Sequence, residues 1–279
     1  MQDRRIKRRS KVMIDFDKLF EEYLKGWLVA HKDEYTADET EDMLPELYEE
    51  WVTKPCKAIG GVTPEEYFAR IKDPEKLVGM FVESSSAGGA CSLLSDRIAG
   101  TPECAELLIR VVLDGKAPEI VISAMNMLEE MGAEQPFSEY AKWLTDKSVD
   151  EGVAEKAAEI LKDHAAAVKE QLIAASCGAD LKQKQVIADV LVEAGRDKRT
   201  FALLKELFLS GENIPYTAGL LGKYGDERAA EFLYPALDDC NYLEFIEIRN
   251  AIETMGGVVD DSYRDFTDDE YYKAIKHLA

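Results

Sequence analysis

Histidines, cysteines and adjacent carboxylates are the residues of this chain whose types could carry chemistry, and their spacing decides which chemistry is open to them. His31 and His277 have no partner at ligand spacing, and His164 falls at the end of a helix-like run. Cys56, Cys91, Cys104, Cys177 and Cys240 make no C-x-x-C pair, so neither a disulfide framework nor a zinc knuckle is indicated. They read as small apolar residues buried in a reducing cytosol. The pairs Asp238-Asp239, Asp260-Asp261 and Asp268-Asp269 offer hard oxygen ligands to a divalent cation, but they match no calcium-loop spacing and lie in turns and caps. Gly88-Gly89 ahead of a helix could hold a phosphate on backbone N–H groups, yet no lysine follows at P-loop spacing. GxGxxG, Walker A, HExxH and GxSxG are absent. No catalytic residue, metal ligand or cofactor site is assigned; the enzyme question stays open, and the balance falls on a non-catalytic protein.

The elements that would position any site follow a beat. Gly100, Gly132, His164, Gly195, Gly225 and Gly256 are spaced by 32, 32, 31, 30 and 31 residues, each closing a helix-like run. A period in this range marks stacked helical hairpins. Four residues before these positions stand Leu128, Ile160, Leu191, Leu221 and Ile252, with Asp96 breaking the column. Eight residues after them stand Leu108, Tyr140, Leu172, Leu203 and Leu233. Matched apolar columns on both helices predict a continuous all-α core. The closing glycines, and His164 in their place, are expected in the left-handed conformation that ends a helix.

The flanks read as caps. Residues 1–12 form a basic tail or a leader ahead of Met13. Residues 13–75 hold nine of the chain's 25 aromatic side chains and are expected to close the N-terminal end of the core. Helices are expected over Phe16–Trp27, over Met43–Trp51, from a Thr63/Pro64/Glu66 capping box, and from Asp73-Pro74 through Phe81. The stretch 84–89 reads as a hairpin turn. The array spans 76–257, and 258–279 hold a capping helix opened by a Thr267/Glu270 box.

Composition bounds the partners. The chain is 46% hydrophobic and 32% charged, enough apolar content for a sizeable core. Its net charge is -21, with 55 acidic against 34 basic residues. An acidic body repels phosphate backbones, so nucleic acid is not expected on it, and cationic partners are. No apolar run is long enough to span a membrane.

Over roughly residues 90–256 the chain resembles HEAT-like repeats of the short-period kind found in the bilin-lyase group. The last hairpin carries the resemblance best, with Pro235, Asp238, Arg249, Ile252 and Gly256. Asp114 and Asp146 repeat the place of Asp238, whereas the arginine recurs in no other hairpin, so the family's aspartate–arginine ladder is mostly lost. The resemblance implies a right-handed α-α solenoid whose second helices line a concave face. There, the positions six and two before each closing residue read Asn126, Ala158, Asp189, Gly219, Asn250 and Glu130, Lys162, Glu193, Lys223, Thr254, with Glu155, Tyr216 and Glu247 a turn earlier. The candidate binding residues are Asn126, Glu130, Glu155, Asp189, Glu193, Tyr216, Glu247 and Asn250. The expected function is a cytoplasmic interaction scaffold for a basic or extended protein segment, in one version an immunity or anti-toxin-like protein. The alternative is a HEAT-like lyase or ligand chaperone with a pocket near the N-terminal aromatics.

Overall fold

In a computed structural model of the chain, residues 14–32, 34–86, 90–260 and 263–275 are described. The basic tail, Gly88-Gly89, Asp261 and the final residues with His277 lie outside them. The described residues form seventeen α-helices and no strand, apart from one antiparallel bridge between Cys56 and Val62. The fold is all-α. The chain divides into two compact units, Met1–Ala133 and Glu134–Ala279.

The first unit opens with α1 (Phe16–Ala30), α2 (Ala37–Asp42), α3 (Leu44–Val52) and α4 (Pro64–Ala69). Asp15 starts α1 by accepting the Lys18 N–H at 3.0 Å, and Phe16 and Phe20 carry its apolar stripe inward. Between His31 and Met43 the chain forms α2, held by a Thr36/Glu39 capping box. Pro45 keeps α2 and α3 from merging, because its ring would collide with the carbonyl four residues back. The turn before α4 runs through Gly60 and Gly61, both at positive φ. Thr63 accepts the Glu66 N–H at 3.1 Å with Pro64 behind it.

Two hairpins complete this unit: α5 (Pro74–Ser85) with α6 (Ser92–Ala99), and α7 (Ala105–Leu113) with α8 (Pro118–Glu130). α5 packs on α7 and α6 on α8, first helix on first and second on second. α5 runs to Ser85, so Ser84 and Ser85 of the expected turn are helical. Gly100 is not left-handed but sits at φ -76, with the Thr101 hydroxyl donating to the Arg97 carbonyl at 2.7 Å. The core register of α6 is displaced accordingly: Asp96 is exposed, and Leu94 and Ile98 take the buried places.

The second unit holds α9 (Phe137–Trp143), α10 (Glu151–Asp163), α11 (Ala165–Ser176), α12 (Leu181–Leu191), α13 (Lys198–Leu209), α14 (Ile214–Tyr224), α15 (Ala230–Ala236), α16 (Tyr242–Thr254) and α17 (Glu270–Ile275). Each odd-numbered helix from α9 to α15 packs on the even-numbered helix after it, and α10, α12, α14 and α16 pack in succession. Both apolar columns are buried: Ile160, Leu191, Leu221 and Ile252 on the second helices, Tyr140, Leu172, Leu203 and Leu233 on the first. Leu128 and Leu108 do the same in the first unit.

Among the closing residues, Gly132, Gly195, Gly225 and Gly256 have positive φ. His164 does not; at φ -120 it ends α10 without the left-handed turn, and its ring packs on Phe137 at 4.5 Å. α17 is capped by Asp269, whose carboxylate accepts the Tyr272 N–H at 2.9 Å, rather than by Thr267. Thr267 belongs to the turn before it, with its N–H on Asp265.

Candidate functional site

The candidate residues of the second unit project from four second helices that the buried columns hold in register: Glu155 from α10, Asp189 from α12 with Glu193 just after it, Tyr216 from α14, Glu247 and Asn250 from α16. Glu155, Glu193, Tyr216 and Asn250 are exposed, and Asp189 and Glu247 are half-buried. Ala158, expected in the solvent column, is buried. α10 packs against α9 on one side and α12 on the other, and an alanine has no reach out of that contact. Asn126 and Glu130 are exposed on α8 of the first unit.

The middle of this row is neutralised from within. Lys162 of α10 pairs with Asp189 at 2.5 Å, and Lys223 of α14 pairs with Glu193. A further link, Glu151 to Lys182 at 2.6 Å, ties α10 to α12. Tyr216 is held well above the ordinary tyrosine range, by burial first and by the Asp189 carboxylate second. Glu155, Glu247 and the Asn250 side chain have no ion pair or hydrogen bond among the described residues. They can accept hydrogen bonds or meet cations, and the Asn250 amide can also donate.

A second polar assembly lies at the junctions between hairpins. Asp197 accepts the Arg199 N–H at 2.8 Å, which starts α13, and Lys169 stands 3.6 Å from its carboxylate. Arg199 forks onto Glu170 at 2.8 and 2.7 Å while also holding Asp197. The Tyr224 hydroxyl accepts the Asp197 N–H at 2.6 Å and donates to its carbonyl at 2.9 Å. Arg196 donates to the Gly225 carbonyl at 2.6 Å. One junction further, Arg228 forks onto Asp226 and lies over the Phe201 ring at 4.3 Å. Arg196, Asp197, Tyr224, Asp226 and Arg228 line an open cleft of about 460 Å³ together with Lys198 and Glu227. The hydrogen bonds from Arg199, side chain first and backbone second, hold the Asp197 carboxyl far below the usual range. Asp197 is paired by Arg199 and Asp226 by Arg228, which makes this assembly a tie between successive hairpins.

The aspartate–arginine ladder expected between hairpin turn and second helix does not include these pairs. Their signal was legible as Asp-x-Arg twice, at 197–199 and 226–228, just after Gly195 and Gly225.

Two members of the acidic pairs hold structural hydrogen bonds. Asp238 accepts the Tyr263 hydroxyl at 2.8 Å, and Asp269 accepts the N–H groups of Tyr242 and Tyr272 at 3.1 and 2.9 Å. Among the described residues no three His, Cys, Asp or Glu side chains are grouped as metal ligands.

In the first unit the N-terminal aromatics pack on one another, with Phe16 on Phe68 at 4.6 Å, Phe20 on Trp51 at 5.3 Å and Trp27 on His31 at 4.2 Å. A cavity of about 500 Å³ lies elsewhere in this unit, against Phe81, Ser85, Ser86, Ala90, Ser95, Glu119 and Ser123. Cys91, one residue from Ala90 of that lining, is pushed up to about 11 by burial and is a protonated thiol at neutral pH. No family model, curated protein or solved structure matches this chain. No helix of the described residues is long and apolar enough to cross a membrane.

Proposed function

We propose that the chain is a non-catalytic, cytoplasmic interaction scaffold, a right-handed HEAT-like solenoid that takes a basic or extended segment of a partner protein along its second-helix face. The solenoid part is supported by the succession α10, α12, α14, α16 and by the buried columns that recur with the closing residues. One observation carries the binding part. Asp189 and Glu193 are neutralised by lysines of neighbouring helices, whereas Glu155, Glu247 and Asn250 are left to meet a ligand. Glu155 and Glu247 take cationic side chains, and the Asn250 amide takes a peptide unit of the extended chain. Asn126 and Glu130 offer the same groups on α8. An immunity or anti-toxin-like role is the version in which the basic partner is a toxin.

The test is affinity capture from a lysate at low and high salt, with the native chain and a Glu155→Lys/Glu247→Lys variant of unchanged helicity. The expected result is a protein retained at low salt, released at high salt and lost in the variant. Equal retention by both chains, or a co-purifying small molecule with no protein partner at any salt, refutes the proposal.

A further inference from the structure

The acidity of the second unit is not spread along it. Residues 142–228 hold fifteen acidic and thirteen basic side chains, whereas residues 238–270 hold eleven acidic and two basic ones. The surplus therefore collects at the C-terminal end, around the α15–α16 turn and the cap that covers it. Large apolar side chains surface in the same place. Leu243 is 36%, Tyr263 45% and Tyr271 43% exposed.

The geometry binds these residues into one face. The Tyr263 hydroxyl donates to Asp238 at 2.8 Å, which steadies its ring beside the α15–α16 turn. Tyr271 stands 6.4 Å from Tyr242 at the start of α16, next to Leu243. Asp239 and Asp265 are exposed there and have no ion-pair partner among the described residues. The chain itself shows which cation such surroundings accept. The Arg264 guanidinium lies over Phe266 at 5.1 Å and donates to the Cys240 and Leu237 carbonyls at 2.6 and 3.2 Å.

We infer that this end face docks an arginine-rich segment of a partner protein. A planar guanidinium stacks on a tyrosine ring while its fork engages a carboxylate; an ammonium does the second without the stacking. Polyanions and anionic membranes are repelled by the same carboxylates. The face is distinct from the second-helix row, since it uses the α15–α16 turn and the cap in place of Glu155 and Glu247.

The experiment is fluorescence anisotropy of labelled oligoarginine and oligolysine of equal length, titrated with the full chain at fixed salt. Two exposed ring contacts predict about tenfold tighter binding of oligoarginine. Tyr263→Ala/Tyr271→Ala brings the ratio to near one, while Tyr263→Phe, which keeps the ring, leaves it in place. Asp239→Asn/Asp265→Asn weakens both peptides together. Glu155→Gln/Glu247→Gln weakens the two peptides alike and leaves the ratio in place, which separates this face from the second-helix row. If the double alanine variant loses helicity, Tyr271→Ala alone, at an exposed ring, is to lower the preference about threefold. Equal affinity for the two peptides in the native chain, or an arginine preference that survives loss of the rings, overturns the inference.

Discussion

Gly222 offers the sharpest test of how the second helices are held, because two opposed effects of known size meet there. A Cβ built on it would lie 2.9 Å from the Cα and 3.2 Å from the Cβ of Ala251 on α16. Carbon atoms rest at about 3.5–4.0 Å, so α14 and α16 must separate by roughly half an ångström or more to admit a methyl group. Overpacking of this kind costs about 1–3 kcal/mol, and the obstructing atom is backbone, which has no rotamer to yield. Against this, alanine gains about 1 kcal/mol over glycine in a helix interior. The expected net for Gly222→Ala is a loss of up to about 2 kcal/mol. Gly219, one turn earlier on the same helix, is exposed and a Cβ there meets nothing within 4 Å. Gly219→Ala should therefore stabilise by up to about 1 kcal/mol. Urea titrations followed by circular dichroism separate the two, with unchanged slopes confirming that midpoints report stability. Ala251→Gly in the Gly222→Ala background should restore only part of the loss, since the backbone at position 251 still crowds the added methyl group. If Gly222→Ala is as stable as Gly219→Ala, α14 and α16 do not approach as described.

Leu191 is fully buried on α12, and Leu191→Asp should unfold the second unit at a cost above about 3 kcal/mol, seen as loss of much of the helical signal; an unchanged melting curve would mean the core register is wrong. Tyr216 is raised by burial and by Asp189, so it holds its proton more tightly folded than unfolded. Its contribution to stability is full below the ordinary tyrosine range and is lost as pH rises through the folded value. Spectrophotometric titration should show a late-ionising tyrosine that Tyr216→Phe removes and Asp189→Asn shifts down; a profile unaltered by both changes refutes the assignment. Asp197 is lowered from 3.8, chiefly by Arg199, so its contribution is full above 3.8 and is lost as pH falls from there through the depressed folded value. The Asp197→Asn variant should lose this part of the acid dependence of the melting temperature, and parallel curves for the two chains would count against it.

Several elements were legible from local rules. Asp15, Thr63-Pro64 and Asp73-Pro74 start helices because capping needs only the residues within one turn. The columns through Leu191 and Leu203 are buried as expected, since a hairpin must place its apolar residues at matched positions to share a core. The closing residues obeyed less well. Gly100 and His164 lack positive φ, because a helix can also end on neighbouring hydrogen bonds or a ring contact, and neither is visible in a spacing. Of the candidate row, exposure of Glu155, Glu193, Tyr216 and Asn250 follows from helix periodicity. The neutralisation of Asp189 by Lys162 does not, because those residues stand 27 positions apart and meet only when α10 and α12 pack. The Asp-x-Arg junctions were overlooked for a related reason: Glu170, which Arg199 grips, comes from the preceding hairpin, and Tyr224 from the far end of the same one.

By itself the sequence determined that the chain is helical, where several helices begin, and which columns of side chains point inward, because these depend on periodicity and on contacts within a turn. Only the tertiary structure decided which carboxylates remain without a partner and where they gather. Pairing between helices is set by the distance across packed backbones, at Gly222 against Ala251 and at Lys162 against Asp189. The charge left at the C-terminal end is what that pairing does not reach.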